Sequence, residues 1–83
     1  MVKTLYHHTK AINLDSILKK GLIRNGIGIV YLTPITTPIL FGNDIVLEID
    51  VRGLRLTAFD DCKNWEILCW DSIEPKRIRR KTE

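Results

Sequence analysis

Apolar and polar positions alternate along this chain with two different periods, and the periods mark its elements. Ile12, Leu14, Ile17, Leu18 and Leu22 recur every three to four residues, the stripe that an α-helix turns toward a core. Asn13 stands where a helix is capped, and Asp15 lies in the first turn, where the helix dipole favours an acid. Lys19 and Lys20 close the last turn and Gly21 supplies the stop, so the spacing predicts a helix over 13–20. Elsewhere the period is two. In the run 45–51, Ile45, Leu47, Ile49 and Val51 face one side, while Val46, Glu48 and Asp50 face the other. This is the clearest strand. Shorter β-branched or aromatic runs at 2–6, 29–32, 54–59 and 65–70 read as further strands, and 76–80 as a last strand or a tail. Thr37-Pro38 before Ile39-Leu40-Phe41-Gly42 reads as one helical turn, and 60–64 as a polar loop. Four to six short strands with one main helix make a small single α+β domain.

Composition narrows the picture. The chain has 83 residues, 45% apolar and 28% charged, which fits one globular domain and not a disordered segment. No apolar run approaches the roughly 20 residues that cross a bilayer. No apolar segment with a small-residue cleavage site opens the sequence, and two cysteines make no disulfide framework. The expectation is a cytoplasmic protein with reduced thiols and no membrane association. The core of so short a chain is thin, which makes a protein partner or a homo-oligomer plausible.

Charge is unevenly placed. The net charge is +3, from 13 basic and 10 acidic residues, yet residues 1–75 hold 8 basic and 9 acidic ones. The excess lies in Lys76, Arg77, Arg79, Arg80 and Lys81. These five are the candidate contacts for nucleic acid or another anion. The expected division is a domain over 1–78 followed by a basic tail over 79–83.

Few residues carry recognisable chemistry. His7 and His8 are adjacent, so in a strand they point to opposite faces and only one readily enters a given site. Cys62, Cys69 and the histidines have no metal-ligand spacing, so no metal site is expected, and Cys69 reads as a small core residue. Tyr31 reads either as core or as the wall of a ligand cleft. Glu66 interrupts an otherwise apolar strand and shares a face with Leu68 and Trp70. It lies either on a solvated face or in a cleft, where a carboxylate is held for a ligand hydroxyl or a developing positive charge.

Four short segments then form an ordered series: Leu5-Tyr6-His7-His8-Thr9, Ile17-Leu18-Lys19-Lys20-Gly21-Leu22, Val30-Tyr31-Leu32-Thr33, and the stretch from Glu66-Ile67-Leu68 to Pro75-Lys76-Arg77-Ile78. The series resembles the ADP-ribosyltransferase-like fold, in particular the branch of RNA 2′-phosphotransferases and DarT-type DNA ADP-ribosyltransferases. The resemblance implies NAD as substrate. It places His7 and Thr9 at the adenosine-side ribose and Tyr31 beside the nicotinamide. Glu66 becomes the catalytic carboxylate that binds the nicotinamide ribose and stabilises an oxocarbenium-like transition state.

Three functions compete on this reading. The first is a minimal ADP-ribosyltransferase acting on nucleic acid or protein. The second follows from the short span between Leu32 and Trp65, which leaves little room for a cofactor-covering loop. It is a non-catalytic relative that binds a nucleotide or a protein, for instance as a phage or mobile-element factor. The third is a small nucleic-acid-binding module that uses the basic C-terminus.

Overall fold

The computed structural model describes residues 3–24, 26, 28–36, 45–58 and 66–81. In chain order the elements are β1 (Thr4–Thr9), α1 (Leu14–Lys20), β2 (Val30–Leu32), β3 (Ile45–Asp50), β4 (Leu56–Ala58), β5 (Ile67–Cys69) and β6 (Ile78–Arg80). Turns of 3-10 helix precede α1 at Ala11–Asn13 and β6 at Pro75–Arg77. The α+β class read from the sequence is the class observed: the described residues form six short strands in two antiparallel sheets and one short helix.

One sheet runs in the order β1-β3-β6 and the other β2-β5-β4. In the first, Leu5 pairs with Ile49, His7 with Leu47 and Thr9 with Ile45. Residues directly opposite in an antiparallel pair share a face, so these positions line the inner side of the sheet. The second sheet turns Val30, Cys69 and Leu56 to its inner face, and Tyr31, Leu68 and Thr57 to the opposite face, where Leu68 is itself covered. The core between them is built from Leu5, Leu22, Val30, Leu32, Ile45, Leu47, Ile49, Val51, Cys69, Ile73 and Ile78. Every second residue of β3 contributes, as its alternation predicts.

Among the described residues, one reciprocal backbone pair links the two sheets edge to edge. Tyr6 N–H donates to Thr33 O at 2.8 Å, and Thr33 N–H donates to Tyr6 O at 2.9 Å. Beyond that point β1 and β2 part. A second isolated bridge joins Leu22 to Ile73.

Several boundaries differ from the sequence reading. β1 extends to Thr9 and takes both histidines into the strand, because its partner β3 is long enough to pair with them. The helix starts at Leu14, which leaves Ile12 in the preceding 3-10 turn, 86% exposed. Leu14 and Ile17 pack on the core, while Leu18 faces outward. Asn13 occupies the cap position without bonding the helix; its Nδ2 donates instead to Thr9 Oγ1 at 3.1 Å. Gly21 ends the helix as expected, with φ 85° and its N–H on Ile17 O.

Residues 79 and 80, read as the start of a tail, lie in β6. They pair with Glu48 and Leu47, and Lys81 N–H donates to Val46 O at 2.9 Å. The helical turn expected after Thr36, the loop at 60–64 and Trp65 fall outside the described residues. Among the described residues, no helix is long and apolar enough to cross a membrane.

Candidate functional site

The parting of β1 and β2 opens a depression of about 390 Å³ lined by Tyr6, His7, His8, Tyr31, Leu32, Thr33 and Glu66. Three of the residues singled out in the sequence, His7, Tyr31 and Glu66, therefore meet in one place. Each comes from a different strand or strand end. His7 comes from β1 just past the bridge to Thr33, and Tyr31 from the outward face of β2. Glu66 immediately precedes β5, beside the Leu32–Ile67 pair.

His7 is held by the backbone facing it. Its Nδ1 lies 3.0 Å from Tyr31 O. A carbonyl only accepts, so Nδ1 carries the proton and the neutral ring keeps its lone pair on Nε2. Burial pushes the imidazole below the usual histidine range; the Tyr31 carbonyl opposes that shift, and neighbouring His8 adds to it. The outcome is a ring biased toward the neutral form, with one nitrogen fixed and the other able to accept a hydrogen bond from a hydroxyl.

Tyr31 is 45% exposed, an open aromatic face at the rim. Glu66 is half-buried and is the acidic residue among the described lining side chains. Together they offer an aromatic surface, a hydrogen-bond acceptor and a carboxylate around an opening also lined by Tyr6, His8, Leu32 and Thr33. That combination suits a ligand with a flat ring and hydroxyl groups.

Thr9 does not join them. It is 6% exposed, and its hydroxyl accepts from Asn13 at the helix entry. His8, expected to point away from whatever His7 entered, lines the same depression. The opening sits at the strand edge and so exposes both faces of β1. His8 Nε2 lies 2.6 Å from Ile35 O, which ties the ring to the segment after β2. Tyr6 and Thr33 were not signalled by the sequence pattern. Their place at the opening follows from the bridge between them, a pairing of residues far apart in the chain.

The basic residues at the C-terminal end play unequal parts. Arg77 Nη1 donates to Asp50 O at 3.0 Å and to Arg52 O at 2.7 Å, which holds the end of β3, and its Nε stands 3.5 Å from Glu74. Arg79 pairs with Glu48 across the sheet. Lys76 Nζ stands 3.8 Å from Glu74. Arg80 projects from β6 exposed, and Lys81 is half-buried beside it.

Among the described residues, no group of three His, Cys, Asp or Glu is placed to hold a metal ion. Cys69 is buried in the core, and burial pushes its thiol upward, away from the reactive thiolate. No model of a known protein family and no curated protein matches the chain.

Proposed function

We propose that the protein is a minimal ADP-ribosyltransferase-like domain that binds NAD in the depression between β1 and β2. The reading rests on one observation: His7, Tyr31 and Glu66, three positions that the family resemblance assigns to NAD, line a single opening. In this reading Tyr31 lies against the nicotinamide ring, and His7 Nε2 accepts from a hydroxyl of the adenosine-side ribose. Glu66 accepts from a hydroxyl of the nicotinamide ribose. As the bond from that ribose to nicotinamide breaks, the bonding electrons leave with nicotinamide and positive charge develops on the sugar. A fixed carboxylate in a partly dry site stabilises that charge. The acceptor of the ADP-ribose is a nucleic acid or a protein.

The position of Thr9 favours a second reading. The hydroxyl that the resemblance assigns to NAD is turned into the helix junction. A domain that holds the nucleotide without turning it over fits a contact set reduced in this way.

NAD titration followed by thermal shift, with nicotinamide release measured in parallel, tests both readings. Transfer predicts release from the wild type and a fall of about 100-fold or more in Glu66→Ala, the scale on which one charge-stabilising group acts. Binding without release selects the second reading. No binding at millimolar NAD overturns both.

A further inference from the structure

A second depression, of about 420 Å³, lies on the outer side of the β1-β3-β6 sheet and shares no residue with the first. It is lined by five basic residues, Lys3, Arg52, Lys76, Arg77 and Arg79, and by two acids, Glu48 and Asp50. We propose that this depression is an anion site for a ligand carrying two or more adjacent phosphate groups.

The lining keeps an excess of positive charge, although Glu48 and Asp50 each offset part of it and Glu74 stands 3.8 Å from Lys76 Nζ and 3.5 Å from Arg77 Nε. Asp50 accepts from Arg52 Nε at 2.9 Å and from Arg52 Nη2 at 2.7 Å. Glu48 is engaged by Arg79. Arg77 is turned inward to the carbonyls of Asp50 and Arg52, so it shapes the floor and adds charge without reaching out. Three sets of donors remain for a ligand. Lys3 is exposed at the start of β1, and the Lys76 side chain is 78% exposed. Arg52 and Arg79 each direct Nε and Nη2 toward their acids, which leaves Nη1 of each guanidinium for an incoming oxygen.

A guanidinium fixed by a carboxylate on one edge is an ordered donor on the other. Binding through it costs little side-chain entropy. Ordered cations around a space larger than one phosphate suit neighbouring phosphates better than a single anion. The residue set differs from the one charge density alone suggests. Lys3 and Arg52 enter it, Arg77 becomes structural, and Arg80 and Lys81 lie outside the lining. Among the described residues no aromatic side chain lines the depression, so the contacts they offer rest on phosphate and are indifferent to base.

Inorganic triphosphate and a fluorescent oligothymidylate, each titrated into the full chain at low and at near-physiological salt, test the assignment. Lys3→Glu combined with Lys76→Glu alters two exposed side chains and leaves the fold intact by circular dichroism. This pair weakens whichever ligand binds by about tenfold or more. With the oligonucleotide it also lowers the salt dependence of binding by about one to two contacts' worth. Binding of triphosphate alone assigns the site to a compact polyphosphate, and binding of the oligonucleotide assigns it to a phosphodiester chain. Lys19→Glu with Lys20→Glu, on α1, leaves both affinities unchanged, as does Glu66→Ala. The site therefore stands or falls separately from the NAD reading. The assignment is overturned if neither ligand binds at low salt, or if the α1 pair weakens binding as much as the Lys3 and Lys76 pair.

Discussion

Gly21 sits at φ 85° and ψ −173°, a backbone conformation essentially reserved for glycine. A Cβ added there would run into the carbonyl oxygen of Ile73. Two requirements coincide at one position: the chain must leave the helix in this conformation, and the Leu22–Ile73 bridge must bring another backbone against it. Gly21→Ala is therefore expected to cost about 1–3 kcal/mol from the conformation alone, with the backbone clash in addition. Chemical denaturation at unchanged m-value measures the loss, and a variant as stable as the wild type would contradict it. The stop at Gly21 was readable from sequence because glycine after a lysine-rich last turn is a local signal. The close approach of Ile73 was not, since nothing local marks a contact made by a residue so distant in the chain. His7 shows the same division. Its membership of a site came from resemblance, whereas its bond to the Tyr31 carbonyl and its neutral bias follow from packing alone.

At the scale of elements, the join between β3 and β6 carries a clamp that no periodicity reveals. Arg77 Nη1 holds two carbonyls at the end of β3, those of Asp50 and Arg52, from the 3-10 turn that leads into β6. Backbone carbonyls are present at every residue, so an arginine that binds them leaves no sequence signature and reads as one more positive charge in a basic run. Arg77→Ala is expected to destabilise the protein by about 1.5–3 kcal/mol, because two hydrogen bonds from a charged donor are lost, one of them in a part-buried setting. Arg80→Ala, on an exposed side chain, is expected to change stability by less than about 0.5 kcal/mol. Equal effects of the two in thermal or urea unfolding would refute the clamp. Strand β3 itself was fully legible, because a two-residue period with β-branched residues on one face has a single interpretation. The short strands β2, β4 and β5 were legible in place but not in partnership. Three residues each carry too little pattern to choose between neighbours, and the order β2-β5-β4 is decided by packing.

For the whole molecule, protonation couples several of these features to stability. The Asp50 carboxyl is held far below the usual range by its hydrogen bonds from the Arg52 side chain and then from the Arg52 backbone. Asp71 is lowered in the same way by Arg55, whose Nη2 lies 2.7 Å from Asp71 Oδ1. For both acids the folded form releases its proton more readily than the unfolded one. Their contribution is complete above the unfolded value near about pH 4 and fades as the pH falls below it. His7 acts in the same direction at higher pH. The folded protein resists its protonation, so stability begins to fall once the unfolded histidine charges, near about pH 6.5. Melting temperature is thus expected to be level from about pH 7 to about pH 8, to drop in two stages on acidification, and to decline at alkaline pH, where the unfolded Cys69 thiol ionises before the folded one. His7→Gln removes the upper stage, and a single-stage profile in the wild type would contradict the assignment. At 11.8 Å the radius of gyration is that of a compact domain of this length, about 12 Å, so these groups all lie within one small body.

The reciprocal bonds between Tyr6 and Thr33 have a further consequence. The gape of the opening beside them is set by main-chain pairing at its root, and the groups that give it chemical character hang from the two arms beyond. Frame and facing are thus separate properties of the sequence. Tyr31 and Glu66 can be exchanged to alter what the jaws grip while the jaws stay equally far apart, whereas His7, whose Nδ1 bonds the Tyr31 carbonyl across the gap, belongs to both. A change that forbids the pairing at the root shuts or splays the opening whatever side chains line it.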